Sequence, residues 1–363
     1  MKAVILAAGK GTRLAAVAQD IPKPMVPVCG TPVIVHQIEL LKRHGITDII
    51  IHTSHLGHII EETLGNGASL GVHLTYVPTH EPVGTSGCLA LMRHLLDDTF
   101  LVLYGDVMMN LDLHRLVAYH KDKGGAATLV VHPNDHPFDS DLVDVDHTMR
   151  ITCFLNKPHP PGMLYHNLAN ACLYVVEPEV LRHVDDGVKQ DFIKDTFARM
   201  LTHHALYAYS TPEYLKDMGT PERLSHVEHD VREGIVARST EPRACVFLDR
   251  DGVVNNEVGL LYRPEQFSLT QNAATAIKTI NKSGYLAVVI TNQPVIARGL
   301  CTFETLGAIH KTMETQLGNV GAKLDAIYFC PHHPEKGFPG EVVEYKIACE
   351  CRKPKPGMLL QAA

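Results

Sequence analysis

Glycine, lysine and arginine crowd the first loop of the chain, Leu6-Ala7-Ala8-Gly9-Lys10-Gly11-Thr12-Arg13-Leu14. Glycine lets a backbone come close to an anion, and the exposed N–H groups can then line that anion. The loop is not a dinucleotide fingerprint, because Leu14 stands where the third glycine belongs. Nor is it a Walker A loop, because no Gly-Lys-Thr/Ser sits at the required spacing. Alone it reads equally well as a tight turn. Its meaning comes from five motifs further along the chain. Pro22-Lys23-Pro24 holds a cation on a stiff backbone. Gly84-Thr85-Ser86-Gly87, Tyr104-Gly105-Asp106, Lys157-Pro158 and Asp217-Met218-Gly219-Thr220-Pro221 come next, in that order.

A second group of chemically capable residues lies in the last third of the chain. Phe247-Leu248-Asp249-Arg250-Asp251-Gly252 closes an apolar run with two carboxylates two residues apart. One of such a pair can attack phosphorus and become an aspartyl phosphate. The other can protonate the leaving oxygen and then activate water. Thr291-Asn292-Gln293 ends the next apolar run, placed for hydrogen bonds to a phosphate, and Arg352-Lys353 supplies cations. Cys330, Cys349 and Cys351 stand close to His332 and His333 in two short clusters separated by a loop. Three thiolates and one imidazole suit a closed tetrahedral Zn²⁺ site, with no position left for water, so the expected metal is structural.

These residues need a scaffold that brings loops together. Apolar runs alternate with helix-spaced segments from the start: Ala3–Ala8, Asp48–His52, Leu74–Val77 and Phe100–Tyr104 read as strands, and Val33–His44, His58–Leu64 and Cys88–Leu96 as helices. The pattern restarts at Ala244–Leu248 and continues to a strand over Tyr285–Ile290. That alternation predicts an α/β protein with two doubly wound, largely parallel-sheet domains. The mixed stretch 234–243, with its Gly and Pro, predicts a linker between modules 1–233 and 244–363.

The six motifs of the first module, taken in order, resemble the sugar-phosphate nucleotidylyltransferase family, over about residues 1–230. The resemblance implies an enzyme of the mannose or heptose 1-phosphate guanylyltransferase kind, with a nucleotide-diphospho-sugar transferase fold. Arg13 and Lys23 would hold the triphosphate and the departing pyrophosphate, and Asp106 and Asp217 would hold Mg²⁺. Lys157 would anchor the acceptor's phosphate, and Asn170 would touch the sugar. Leu6, Ala8, Gly9, Gly11, Thr12, Gly84, Thr85 and Gly87 would surround the nucleotide. The family usually has glutamate where Asn156 stands and glycine where Cys172 stands, and both departures bear on sugar choice.

The second module, about 244–363, resembles the haloacid dehalogenase phosphatases, and within them the D-glycero-D-manno-heptose 1,7-bisphosphate and histidinol-phosphate phosphatases. That resemblance implies catalytic Asp249 and Asp251, which also bind Mg²⁺, and substrate contacts from Thr291, Asn292, Gln293, Arg352 and Lys353. It implies Zn²⁺ on Cys330, His332, Cys349 and Cys351, with His332 preferred to His333. The family carries a further aspartate motif beyond this point, which the sequence lacks before Ala363. The second module is therefore expected to be truncated, to bind Mg²⁺ through fewer ligands and to turn over poorly. Two such modules make sense as neighbouring steps: removal of the 7-phosphate, then activation of the remaining 1-phosphate with GTP.

Composition narrows the rest. A net charge of −7, from 33 basic and 40 acidic side chains, gives no basic surface for nucleic acid, and the expected partners are nucleoside triphosphate and sugar phosphates. No run is long and apolar enough to span a membrane, and the first apolar run is too short for a signal peptide, so a cytoplasmic place is expected. Cys29, Cys88, Cys153, Cys172, Cys245 and Cys301 are expected to be reduced, buried thiols. Oligomeric state stays open, a homo-oligomer included.

Overall fold

The first apolar run becomes the strand Lys2–Leu6, with Ala3, Val4 and Ile5 buried. In the computed structural model, which describes residues 1–9 and 20–363, this strand is flanked in parallel by Asp48–Thr53 and Phe100–Tyr104. His73–Pro78 continues the sheet, parallel to Asp48–Thr53. Side chains on both faces of these strands are apolar because helices cover them. Val33–Arg43 is one such helix. It buries Val33, Ile34, Ile38 and Leu41 at helical spacing, and Ile34, Ile38 and Leu41 share a core with Ile49, Ile51, Leu101 and Leu103. A truncation such as Ile38→Ala in that layer costs about 2–5 kcal/mol. The helix Leu113–Lys123 shows both kinds of stop signal. Asp112 caps its start by accepting from His114 and Arg115 N–H, and Gly124 ends it at φ +64°.

The sheet is mixed, where the sequence led to a largely parallel one. Ala169–Val176 runs antiparallel to Phe100–Tyr104. Ala127–His132 joins Ala169–Val176 and also pairs with Leu206–Ser210. The expectation rested on strand–helix alternation, which covers only the first hundred residues or so. From Ala127 to Val176 four strands follow one another with only the short turn Pro137–Asp139 among them, and such connections favour antiparallel neighbours.

The chain forms two compact units. The first comprises Met1–Val131, Asn170–Tyr209 and Glu213–Glu241, and the second His132–Ala169, Ser210–Pro212 and Pro242–Ala363. The second unit has its own parallel sheet, with Leu286–Asn292 between Cys245–Leu248 and Ala326–Cys330. The helices Ala273–Lys282 and Phe303–Gly318 pack on it around Ile277, Val289, Ile309, Met313 and Leu317. It also contains the antiparallel pair Leu142–Val145 and Ile151–Leu155, joined to the chain at Ala169, which pairs with Leu142. Among the described residues no helix is long and apolar enough to cross a membrane.

Of the scattered cysteines, Cys88 and Cys301 are buried, as expected, and Cys172 and Cys245 are half-buried, but Cys29 and Cys153 are exposed. Cys29 sits at φ +49° in the turn joining two short strands, and Cys153 lies on a bulged hairpin. Turns and bulges carry apolar residues outward without changing the local composition.

Candidate active site

The strand Phe100–Tyr104 ends at Gly105, and Asp106 follows at the carboxyl edge of the parallel strands. Gly105 sits in a close approach of neighbouring chain. A Cβ there would lie 3.0 Å from the Leu6 carbonyl oxygen and 3.0 Å from Pro24 Cγ. Pro22 fixes the start of the short turn Lys23–Met25, so Lys23 is presented from a stiff support. Its ammonium forms an ion pair with the Asp106 carboxylate, and its side chain is only 11% exposed.

Asp217 reaches the same place from another direction. The strand Tyr214–Asp217 runs antiparallel to Val107–Asn110, with Asp217 opposite Val107. Met218 N–H donates to the Asp106 carbonyl at 3.0 Å, tying the two aspartate-bearing segments together. Both oxygens of the Asp217 carboxylate accept from Arg223 Nη1, at 2.7 Å each, and one also accepts from Gly219 N–H at 2.9 Å. Burial pushes this carboxyl up, but the Arg223 guanidinium, the Gly219 N–H and the nearby Lys23 ammonium outweigh it, and it rests below the usual carboxylate range. Asp106, Asp217, Lys23 and Arg223 thus form one cluster of hard oxygen donors and cations. Such oxygens fit Mg²⁺, which takes one or two carboxylates together with substrate phosphates.

Two residues, one in this cluster and one supporting it, escaped sequence reasoning. Arg223 sits in the first turn of the helix Pro221–Arg232, after the Thr220 cap, where an arginine carries no distinctive signal. Gln37 is fully buried on the apolar face of its helix, and its amide donates to the Tyr104 and Val107 carbonyls at 2.8 and 2.7 Å. It therefore pins the break in the strand that carries Asp106. A polar residue within an otherwise apolar helix stripe was its only trace.

The Gly84–Gly87 turn has an architectural reason for its glycines. Gly84 lies at φ +78°, and a Cβ on it would fall 2.1 Å from the Gln190 carbonyl oxygen; one on Gly87 would fall 2.6 Å from the Val188 oxygen. Ser86 and Gly87 N–H donate to that Gln190 oxygen, and Thr85 Oγ1 donates to Asp191 at 2.9 Å. Tyr104 packs edge-on against Tyr174, whose hydroxyl accepts from Asn170 Nδ2 at 3.0 Å. Asn170 is thereby fixed on the strand beside the one that leads to Asp106. Cys172 adopts φ +58°, a backbone region that favours glycine.

Leu6, Ala8 and Gly9 lie at the end of the first strand, with Ala7 N–H bonded to the His52 carbonyl at 2.9 Å. Gly11, Thr12 and Arg13 lie outside the described residues. Lys157 belongs to the second unit, where its Nζ donates to the Asp139 carbonyl at 2.8 Å and its N–H to Asp141 at 3.0 Å.

The second unit assembles its own polar centre at the carboxyl ends of its strands. Lys353 Nζ lies 2.5 Å from Asp249 and donates to the Ile290 carbonyl at 3.0 Å. Asn292 exchanges two bonds with the Lys353 backbone, at 3.0 and 3.2 Å. Gln293 donates to Asp251 at 2.8 Å and to Thr291 Oγ1 at 2.9 Å. Asp249, Asp251, Thr291, Asn292, Gln293 and Lys353 are thus brought together, and Arg352 points elsewhere, donating to the His332 carbonyl at 3.2 Å. Arg250 was missed. It is completely buried and grips Asp251 through Nε at 3.0 Å and Nη2 at 2.9 Å, and its Nη2 also donates to Gln293. Burial lowers its pKa, and the Asp251 charge partly restores it. The oxygen donors of Asp249 and Asp251 are of a type that suits Mg²⁺.

Beyond Arg352, Cys330, His332, Cys349 and Cys351 turn one atom each toward a common centre, all within 4.8 Å of one another. The sulfur–sulfur separations are 3.1 to 3.5 Å, and His332 Nδ1 is 3.3 Å from Cys351 Sγ and 3.7 Å from Cys330 Sγ. These are far beyond a disulfide bond and close to the edges of a small tetrahedron. His333 takes no part; its ring stands edge-on to Phe338. Glu179, His183 and His204 form a further group, in which the two imidazoles meet Nε2 to Nε2 at 3.0 Å, a distance one N–H···N bond accounts for.

The first unit is thus a mixed α/β sheet with a lysine and two carboxylates at its strand ends. Residues 2–234 match the Nucleotidyl transferase family model, and the chain belongs to that family. It is 32% identical over 236 residues to the mannose-1-phosphate guanylyltransferase of Mycobacterium tuberculosis, covering 64% of this chain and 65% of that protein. It is 34% identical over 215 residues to the UTP–glucose-1-phosphate uridylyltransferase of Synechocystis, covering 55% of each. The chain therefore spans between 55% and 65% of the length of these curated relatives. Over 64% of its length it shares the fold of the UDP-glucose pyrophosphorylase from Acinetobacter baumanii, with a TM-score of 0.56 at 24% identity and 93% of that chain covered.

Proposed function

We propose that this protein transfers a nucleotidyl group from a nucleoside triphosphate to a sugar 1-phosphate. The observation that carries the reading is the meeting of Lys23, Asp106 and Asp217 at the strand ends of a nucleotidyl transferase family member. An oxygen of the sugar phosphate attacks the α-phosphorus. The bond from that phosphorus to the bridging oxygen breaks, and pyrophosphate leaves with the electron pair. The attacking oxygen is already ionised at neutral pH, so no general base is needed. Both reactants are anions, and the work of the site is positioning and charge stabilisation. Lys23, with Arg13, takes the triphosphate and the leaving pyrophosphate. Lys157 takes the acceptor phosphate and Asn170 the sugar. Leu6, Ala8, Gly9, Gly11, Thr12, Gly84, Thr85 and Gly87 line the nucleotide. Asp106 and Asp217 are the residues that hold Mg²⁺, which when bound neutralises phosphate charge.

The acceptor in this reading is D-glycero-D-manno-heptose 1-phosphate and the donor GTP. Residues 244–363 act as a phosphatase module on the heptose 1,7-bisphosphate. Asp249 attacks phosphorus to give an aspartyl phosphate as the sugar oxygen leaves. Asp251 gives that oxygen its proton and then takes one from the water that attacks the aspartyl phosphate, so that the P–O bond to Asp249 breaks and inorganic phosphate is released. Thr291, Asn292, Gln293 and Lys353 hold the phosphate, and Arg352 braces the loop through the His332 carbonyl. Asp249 and Asp251 would also hold Mg²⁺. Cys330, His332, Cys349 and Cys351 hold a structural Zn²⁺ beside the loop that carries Arg352 and Lys353. A second reading, transfer to mannose or glucose 1-phosphate, is favoured by the names of the relatives.

One assay separates these. Heptose 1,7-bisphosphate, heptose 1-phosphate, mannose 1-phosphate and glucose 1-phosphate are each incubated with each of the four triphosphates, and pyrophosphate, phosphate and nucleotide sugar are measured. The highest kcat/KM is expected for heptose 1-phosphate with GTP. A hexose 1-phosphate preferred tenfold or more establishes the second reading. No pyrophosphate from any pair refutes both.

A further inference from the structure

The segment His132–Ala169 lies in the middle of the transferase sequence, yet it packs against a helix from the C-terminal residues. That helix, Phe303–Gly318, has 16 residues and meets the segment along a single stripe. Phe303 stacks on His147 with ring centroids 4.5 Å apart. Lys311 Nζ donates to Asp144 at 2.6 Å. Glu314 accepts from His166 Nδ1 at 2.6 Å and from Asn167 N–H at 3.2 Å. Thr315 Oγ1 accepts from Tyr165 N–H at 3.0 Å. A Cβ on Gly318 would fall 2.6 Å from Pro137 Cγ and 3.0 Å from the Tyr165 hydroxyl. Positions 303, 311, 314, 315 and 318 share one face at helical spacing. Glu314 is buried, and a carboxylate is retained in such a place only when its partners are fixed.

From this stripe a short run of bonds leads to Lys157. Asn167, held by Glu314, exchanges two bonds with the Asn134 backbone, at 2.7 and 3.2 Å. Asn134 Nδ2 donates to Ser140 Oγ at 2.8 Å. Pro137–Asp139, the turn seated on Gly318, supplies the Asp139 carbonyl that accepts from Lys157 Nζ. Asp141, just beyond, accepts from Lys157 N–H.

We infer that the helix Phe303–Gly318 positions Lys157, so that residues near the C-terminal end of the sequence set how firmly this lysine is held for an acceptor phosphate. Glu314 and Lys311 are positioning residues, acting through His166, Asn167 and Asp144. The inference rests on the reading of Lys157 as the acceptor anchor. It goes beyond two activities sharing one chain, because it makes sugar-phosphate affinity depend on a helix from the other module.

The test uses the full-length chain with Glu314→Gln, Lys311→Ala and Asp144→Asn, each made singly, and Lys311→Ala combined with Asp144→Asn. Steady-state kinetics should show KM for the sugar 1-phosphate raised about three- to tenfold, with kcat and KM for the triphosphate within twofold of the parent. The double variant should be no worse than Lys311→Ala alone, since both members of one ion pair are gone. Amide hydrogen exchange over 132–169 should accelerate in Glu314→Gln, whether or not turnover is measured. Unchanged exchange there, or both KM values rising together, overturns the inference. A parent protein that turns over no substrate pair refutes the transferase reading instead, and the exchange result still decides the positioning.

Discussion

Replacing Gly84 by alanine separates two reasons for a glycine there: room for a ligand, or room for the protein itself. At Gly84 the space is already filled. The new Cβ would sit 2.1 Å from the Gln190 carbonyl oxygen, at φ +78°. Alanine in that left-handed region costs about 1–2 kcal/mol. Relieving the overlap moves the Gln190 backbone and strains three hydrogen bonds, from Ser86 and Gly87 N–H to the Gln190 oxygen and from Gln190 N–H to the Val83 oxygen. At about 1 kcal/mol each, partial loss of these adds about 2 kcal/mol. The reduced freedom of the unfolded chain returns about 0.4–1 kcal/mol. The expected net loss is therefore about 3 kcal/mol. Gly87 serves as an internal control. It has ordinary helical angles, φ −60° and ψ −26°, so Gly87→Ala lacks the left-handed penalty and should cost about 1–2 kcal/mol through its approach to the Val188 oxygen. Urea unfolding followed by circular dichroism should show the midpoint lowered by about 1 M or more for Gly84→Ala and by roughly half that for Gly87→Ala. A Gly84→Ala protein with unaltered stability and only a raised KM for the triphosphate would refute the packing argument and give the glycine to the ligand.

Asp106→Asn should lower kcat/KM for nucleotidyl transfer by about 10²–10³, or about 3–4 kcal/mol of transition-state stabilisation, with the unfolding midpoint little changed; retained activity in a pyrophosphate-release assay places the metal elsewhere. About one equivalent of zinc per chain should be found by plasma mass spectrometry and should fall away in Cys349→Ser; no metal, together with a mass two hydrogens short per cysteine pair, favours a disulfide instead. Burial lowers the His52 pKa from 6.5 to about 4, so above pH 6.5 the ring is neutral in both states, and as pH falls from 6.5 to about 4 the unfolded chain alone gains the proton. Stability should drop by about 3 kcal/mol over that window; equal stability at pH 7 and pH 4.5 in parent and His52→Asn alike counts against it. Cys172→Gly should raise stability by about 0.5–1 kcal/mol by relieving φ +58°, and a lowered thermal midpoint would mean that the Cys172 side chain contributes packing worth more than the strain.

What the sequence made legible were the elements whose signal is local. The strands Phe100–Tyr104 and Asp48–Thr53 and the helix Val33–Arg43 announce themselves by period, and Lys23 and Asp106 by their prolines and glycine. The antiparallel Ala169–Val176 could not be read in this way, because strand direction depends on the partner and not on the residues within the strand. Chain order likewise carries no sign that His132–Ala169 groups with Pro242–Ala363.

The residues that were missed share one physical character. Gln37, Arg223, Arg250 and Glu314 each carry a polar group whose meaning is supplied by a partner outside its own helix or loop, or by burial that the neighbouring residues do not foretell. Arg250 makes the point most clearly. It stands between Asp249 and Asp251, where a surface arginine would be unremarkable, yet it is completely buried and hydrogen-bonded to Asp251 and Gln293. A buried guanidinium left unpaired costs several kcal/mol, so its partners are held as firmly as it is. Asp251 therefore depends on a residue with no direct part in the proposed chemistry for the direction in which its carboxylate points. The polar framework around each pair of aspartates, Gln37 and Arg223 in one unit and Arg250 and Gln293 in the other, is what converts two carboxylates near a strand end into carboxylates with a defined orientation. That orientation cannot be written in motif spacing, because it is fixed by distances between residues that are far apart in the chain.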